Sequence, residues 1–331
     1  MTHDLEKSLQ NAGSEAELVA LLSQAGVGPG WAKPKPSVYP EPNRKFVPAH
    51  WRFSEAKAAL GAAAKYVSTE LAERRNLIMV NPHEGNEYAT ACTLVAAYQL
   101  VRGGEVARSH RHSPNAMRLV LEAAPNTYTI VDGNRVPMLP GDVLLTPNWN
   151  WHGHSNESEQ DALWIDFLDV PFIHLIEPMF FDHYPERIEK AGAPTPDIPF
   201  RFPFSKMLPA VKDQPESRPG ERWLEVAPPR MTTIGIYFRY LNSGAQLDDI
   251  KTTESRIYAV LQGSGEMTAD GQTFRWSRGD VLVVPGWTRS TWKCSEEACL
   301  LTVTDRPMLK VLGLLRSEGE APQENPGLIK A

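Results

Sequence analysis

The feature that most constrains this 331-residue chain is that part of it occurs twice. "VDGNRVPMLPGDVLLTPNW" at 131–149 is answered by "TADGQTFRWSRGDVLVVPGW" at 268–287. Each copy has an Asp-Gly turn, a run to Gly-Asp, an apolar stretch and Pro-x-Trp. Asp-Gly between apolar runs signals a hairpin. Around the copies, short runs such as "NLIMV", "CTLVAAYQLV", "MRLVLEA", "TIGIYFRYL" and "CLLTVTD" are punctuated by Gly, Pro, Asn and Asp. Many short strands so punctuated point to a sandwich or barrel. A repeated unit of this kind predicts two copies of one small barrel.

Extending the comparison sets Gly104, five residues, then His110, Arg111 and His112 against Gly244, five residues, then Ile250, Lys251 and Thr252; His152 faces Ser290. Side chains of a strand alternate faces, so His110 and His112 project together and form a pincer for a metal ion. The second copy offers no nitrogen donor at the three places. One metal per chain is therefore expected, in the first copy. No carboxylate follows His112 until Glu122.

The remaining chain divides by composition. Residues 1–75 read as short N-terminal helices, a proline-rich arm and a helix at 54–74. The arm's Trp31, Tyr39, Phe46 and Trp51 suit packing against another surface, such as a neighbouring subunit. Residues 76–170 form the first barrel and 171–230 a connecting segment with a helical stretch near 173–190. Residues 231–315 form the second barrel, and 316–331 a flexible tail.

The formal charge of −6 argues against a broad nucleic-acid surface, and no stretch approaches 18 consecutive apolar residues. The polar, acidic N-terminus is unlike a signal peptide, which predicts a cytoplasmic protein. Cys92, Cys294 and Cys299 have no metal-finger spacing and are expected to be reduced and buried.

"G-x5-H-x-H" at 104–112 with "G-x5-P-x-W-x2-H-x3-N" at 141–156 resembles the two cupin signature motifs, with Trp149 where a glycine is usual. The glutamate ligand common in cupins has no counterpart in Ser113-Pro114-Asn115-Ala116-Met117. A three-histidine cupin of this kind resembles the bicupin ring-cleaving dioxygenases of the gentisate 1,2-dioxygenase family, which includes salicylate, 5-nitrosalicylate and 1-hydroxy-2-naphthoate enzymes. The stretches that carry the likeness are the proline-rich arm, "GEVA-x-x-HRH", "VDG-x-R-x-P-M-x-x-GD", "LTP-x-W-x-WH-x-H" and "W-x-D-x-LD-x-P".

The resemblance implies an all-β dominated bicupin, two double-stranded β-helix jelly-roll barrels, assembling as a homotetramer. It implies one Fe(2+) on His110, His112 and His152, and a small aromatic acid plus O2 as partners. Three neutral imidazoles leave a divalent metal its full charge and three open positions, two for an ortho hydroxyl and carboxylate and one for dioxygen. Three histidines also suit a catalytic zinc, and ligand type alone does not separate iron from manganese.

By the same resemblance Arg118 contacts the carboxylate or the activated oxygen, and Gln99 and Asp166 line the substrate pocket. Arg118 follows His112 by six residues and shares its strand face if the strand runs straight through. His154, two beyond His152, is a fourth metal ligand, an acid/base group near the substrate, or a surface histidine; the family pattern favours the acid/base role. The other histidines, His3, His50, His83, His174 and His183, are expected to be structural or exposed.

Relatives tend to carry a tryptophan in a "LWAGLQL"-like stretch near the substrate. Here it reads "LVAAYQL", with Val95 in the tryptophan's place and Ala97 in the glycine's. The changed wall favours a 5-substituted salicylate such as 5-nitrosalicylate. The alternatives are gentisate 1,2-dioxygenase proper, or a bicupin that binds a small aromatic acid without catalysis.

Overall fold

In the strand Val95–Val101 every residue is buried on both faces, because each face has a different partner. Ala96, Tyr98 and Leu100 join Ile236, Phe238 and Tyr240 of the strand Gly235–Leu241 in one apolar core, while alternate residues line a barrel interior. A computed structural model describes residues 2–68, 75–194, 198–228, 230–319 and 327–329. It shows two barrels whose larger sheets share that core.

In the first barrel the larger sheet runs Arg201–Phe202, Val143–Thr146, Ala116–Glu122, Ala162–Leu168, Val95–Val101, Arg75–Ile78. The smaller runs Phe181–His183, Val106–His112, His152–Asn156, Thr127–Val131, Asn134–Pro137. The second barrel repeats the plan with Ala49–Trp51, Val281–Val284, Arg256–Gln262, Ala298–Thr304, Gly235–Leu241, Glu221–Val226 and Gly327–Ile329 opposite Gln246–Asp249, Ser290–Cys294, Gly265–Ala269 and Gln272–Trp276. The Asp-Gly turns at 132–133 and 270–271 have positive φ at both positions, the geometry that two-residue hairpins prefer.

The repeated Gly-Asp has a purpose hidden from sequence. Ala49–Trp51 pairs with the second barrel and leads into the helix Phe53–Ala63, which packs on Arg75–Ile78 and Val95–Val101 of the first, whereas Arg201–Phe202 pairs with the first and leads into the helix Phe204–Lys212, which packs on Glu221–Val226 and Gly235–Leu241 of the second. Asp280 accepts from the Phe53 backbone N–H at 2.9 Å and lies 3.1 Å from His50 Nε2. Asp142 likewise accepts from Phe204 N–H at 3.0 Å and from Arg201 Nε at 2.7 Å. Gly279 (φ +87°) and Gly141 (φ +86°) lie under the two phenyl rings, where a Cβ would sit 2.5 Å and 2.8 Å from Phe53 and Phe204.

Some expectations differ. The helix expected at 54–74 ends at Ala63; part of that range, 69–74, lies outside the described residues, and Arg75–Ile78 is a strand. The helix near 173–190 is only Val170–Ile176. Within the expected flexible tail, Glu318 N–H donates to Lys251 O and Ser317 bridges Thr252, while Gly327–Ile329 pairs in parallel with Leu224–Val226. The rest of the tail, 320–326 and 330–331, lies outside the described residues. Cys92 is exposed; Cys294 and Cys299 are buried, and all three are free thiols.

Residues up to Asn43 form a separate unit. It holds the helices Thr2–Gln10 and Glu15–Gln24, the second started by Ser14, whose hydroxyl accepts from Glu17 N–H. Residues 27–48 form neither helix nor strand, as their prolines dictate.

Candidate metal centre

His110 and His112 lie on the strand Val106–His112, and His152 opens the neighbouring strand opposite His110. Close approach of the two strands requires Gly153: a Cβ there would lie 2.4 Å from Ser109 Oγ. The ligand atoms of the three imidazoles all lie within 4.8 Å of one another. His110 and His152 are 2% and 0% exposed.

Each ring is held the same way. Nδ1 of His110, His112 and His152 lies 3.2, 2.8 and 3.1 Å from the carbonyls of Arg108, Pro114 and Asn150. A carbonyl only accepts, so Nδ1 carries the proton and Nε2 keeps the lone pair a metal needs. Burial, helped by His110, His112 and Arg118, pushes the His152 pKa well below its ordinary value. The neutral, ligating form is thereby favoured. Arg111, between the two histidines, points the other way; its guanidinium lies 4.4 Å from both Trp149 and Trp151 and pairs with Asp182 at 2.8 Å.

The donor set fits a divalent transition metal. Among the described residues no carboxylate belongs to the cluster. His154 does not belong to it either: its ring centroid is 6.4 Å from that of His152 and 5.0 Å from Trp164.

Arg118 reaches the barrel by another route than expected. The strand does not run through; it ends at His112, and Arg118 lies on Ala116–Glu122 of the larger sheet. Pro114 explains the break, since it lacks the N–H that a continuing ladder needs. Arg118 is 1% exposed, lies 3.1 Å from Asp166 Oδ1, and donates to Thr146 Oγ1 at 2.5 Å. Trp164 Nε1 donates to the same Asp166 oxygen at 3.0 Å. Gln99 lies opposite Trp164, and its buried Oε1 makes no hydrogen bond. Val95 and Ala97 share its strand and are buried. Thr146, Trp164 and Phe181, which stacks on His110 at 5.2 Å, were not foreseen; their neighbourhoods arise only from pairing between distant strands.

The second barrel shows what replaced the metal. In the first, a bulge between Ala107 and His110 adds a residue, so His110 faces His152. The second lacks that bulge, and Asp249 faces Ser290. The counterpart of His110 is therefore Asp249, not Ile250 as the spacing suggested. Asp249 pairs with the fully buried Arg239 at 3.2 Å and with Arg218 at 2.6 Å, and Arg239 with Glu221 at 2.7 Å. Burial opposes the Asp249 charge, but Arg239, Arg218 and Arg256 outweigh it and hold the carboxyl at about 2. This guanidinium–carboxylate network is buried beside the apolar core of the barrel.

Of the remaining histidines, His174 Nδ1 lies 2.7 Å from the Tyr88 hydroxyl and His83 Nδ1 2.9 Å from Glu84 O. His183 faces His110 across a strand pair. The side chain of His3 lies outside the described residues.

Residues 97–169 match the cupin domain family and 244–299 the EutQ-like cupin domain family. A 5-aminosalicylate 1,2-dioxygenase of Comamonas sp. is 31% identical over 91% of this chain and 89% of its own length. The chain belongs to the gentisate 1,2-dioxygenase family of bicupin ring-cleaving dioxygenases. Another relative, gentisate 1,2 dioxygenase 1 of Aquipseudomonas alcaligenes, is 29% identical over 91% of this family member and 95% of its own chain. The crystal structure of salicylate 1,2-dioxygenase from Pseudoaminobacter salicylatoxidans, as adducts with gentisate, superposes with a TM-score of 0.87 at 25% identity, covering 94% and 95% of the two chains. Among the described residues no helix is long and apolar enough to cross a membrane.

Proposed function

We propose that the protein is an iron(II) dioxygenase that adds both atoms of O2 to a salicylate-type acid, with extradiol-type cleavage between the carboxyl- and hydroxyl-bearing carbons. The observation that carries this is the group of three imidazoles, each with Nδ1 tied to a carbonyl, with no carboxylate among them. His110, His112 and His152 would hold the iron, which would supply Lewis-acid and redox chemistry for the reaction of the substrate with O2. Both oxygen atoms end in the ring-opened acid, so the ring supplies the electrons and no external reductant is consumed.

The chain's own groups have distinct tasks. Arg118 presents a charged donor to the carboxylate, or to oxygen as it becomes negative, and Asp166 and Thr146 position it. Gln99 Oε1 accepts from a substrate hydroxyl. His154 takes and returns the proton of the phenol oxygen. Val95 and Ala97 leave room beside the ring. That room, with the 5-aminosalicylate enzyme among the relatives, supports a 5-substituted salicylate, nitro or amino, over gentisate. By family likeness the assembly is a homotetramer acting in the cytoplasm.

Oxygen uptake by the iron-loaded protein, with gentisate, salicylate, 5-aminosalicylate, 5-nitrosalicylate and 1-hydroxy-2-naphthoate in parallel and a His110→Ala control, tests the proposal. Uptake with a 5-substituted salicylate, lost in the control together with bound iron, is expected. Much faster turnover of gentisate overturns the substrate assignment. Tight iron and acid binding without uptake overturns the reaction.

A further inference from the structure

Among the described residues the histidine cluster lies wholly in the first barrel, yet the second barrel touches the loops that hold it. Pro114 O fixes His112 Nδ1, and Asn150 O fixes His152 Nδ1. The loops carrying these two carbonyls are joined to each other. Trp149 N–H donates to His112 O at 3.0 Å, Asn148 N–H to Asn115 Oδ1 at 2.9 Å, and the Asn148 side-chain amide to Ser113 O. Asn115, 5% exposed, stands at the junction. Its Nδ2 donates to Thr233 Oγ1 at 2.8 Å, and Thr233 Oγ1 donates in turn to the buried Asp169. Thr233 belongs to the second barrel, just before its strand Gly235–Leu241. The segment Ser113–Met117, which gives the histidine cluster no carboxylate, thus gives its loops an anchor on the other barrel.

The same plan recurs beside the barrel without histidines. Trp287 N–H donates to Thr252 O, Gly286 N–H to Ser255 Oγ at 3.3 Å, and Thr93 Oγ1 to Asp305 Oδ2 at 2.6 Å. Ser255 precedes the strand Arg256–Gln262 as Asn115 precedes Ala116–Glu122, and Thr93 precedes Val95–Val101 as Thr233 precedes Gly235–Leu241. The two ends differ in one respect. Asn115 has both a carbonyl for Asn148 N–H and an amide for Thr233, whereas the serine hydroxyl is one bond shorter. Among the described residues, only the barrel with the histidines makes a side-chain bond from this position to the other barrel's threonine.

We propose that Asn115 and Thr233 are positioning residues for the metal centre: through the Thr233 hydroxyl, the second barrel fixes the two loops whose carbonyls orient His112 and His152. The inference rests on the three imidazoles holding a divalent metal. A group that orients a ligand is felt in metal affinity as well as in turnover. Cobalt(II) is the probe, since it takes the same imidazole donors and its visible absorption reports the coordination geometry.

Full-length protein stripped of metal by a chelator is titrated with cobalt(II). Wild type should take up one ion per chain, and His112→Ala should lose it. Asn115→Ala and Thr233→Val should each alter the absorption band and weaken binding about tenfold, the lower end of what removing a ligand's supporting group costs. Thr233→Ser, which keeps the hydroxyl, should bind as wild type does. Thr93→Val breaks the matching bond at the other end and should leave cobalt affinity unchanged. Because Thr233 acts through Asn115, combining Asn115→Ala with Thr233→Val should weaken binding no further than Asn115→Ala alone. Far-UV circular dichroism at the titration temperature identifies the folded variants, and Thr233→Ala replaces Thr233→Val if the latter unfolds. No cobalt uptake by wild type overturns the metal centre and this inference with it. Uptake by wild type that is lost in His112→Ala keeps the metal centre; equal affinity in wild type, Asn115→Ala and the Thr233 variant then overturns the positioning role, as does an equal loss in Thr93→Val.

Discussion

Asp166→Asn is the most informative single change in the metal barrel, because it removes a charge while nearly preserving shape. Asp166 and Arg118 are each 1% exposed and lie 3.1 Å apart. At an effective dielectric of about 20, their attraction is roughly 5 kcal/mol. Breaking a buried pair costs about 3–5 kcal/mol, mostly from the charge left behind. Asparagine still accepts from Trp164 Nε1 and keeps an oxygen beside Arg118, so the lost charge dominates. At about 2 °C per kcal/mol for a chain of this size, the unfolding temperature should fall by roughly 6–10 °C. Adding Arg118→Met removes the stranded guanidinium, so the double variant should unfold at a higher temperature than Asp166→Asn alone. Differential scanning calorimetry at fixed metal content measures both, and oxygen uptake should be impaired in both variants. If Asp166→Asn shifts the midpoint by under about 2 °C, or the double variant is the less stable, Asp166 does not hold the Arg118 charge.

The glycine under Phe53 and the buried acid of the second barrel give further tests. Gly279→Ala should destabilise by about 2–5 kcal/mol, combining left-handed backbone strain with overlap against Phe53. Denaturant unfolding should show the loss shrinking in a Phe53→Ala background, where the ring overlap is gone and the backbone strain and the close contact with the residue-53 Cβ, at 2.9 Å, persist; an equal loss in both backgrounds contradicts the ring contact. Asp305 has a folded pKa near 7, raised from the ordinary 3.8. Its acid form is favoured by folding, so its contribution is fully present below about pH 4 and lost as pH rises towards 7, by up to about 4 kcal/mol. Unfolding midpoints of Asp305→Asn minus wild type should therefore increase from pH 4 to pH 8; a flat difference refutes the assignment.

The repeat, the strand-rich plan and the histidine pincer were legible because they depend on short-range pattern. Alternation alone puts His110 and His112 on one face, and Asp-Gly alone calls for a tight hairpin. The same logic failed at Arg118, where counting six residues past His112 assumed a continuous strand. Pro114 interrupts it, and Arg118 arrives from the facing sheet to meet Asp166. Spacing also misaligned the second barrel, since a one-residue bulge in a strand changes which residue faces its partner without leaving a signature in composition.

The sequence by itself determined that the chain builds the same barrel twice, that only one copy has imidazoles for a metal, and that no carboxylate adjoins them. Those properties reside in residue identity and in the two-residue period of a strand. Tertiary structure alone decided that Asp249 with Arg239 occupies the core of the second copy. It also decided that each Gly-Asp receives the start of a helix from a distant part of the chain, and that Thr146, Trp164 and Phe181 surround the site. Such contacts join residues tens to hundreds of positions apart, and their partners are chosen by strand register and by packing between sheets.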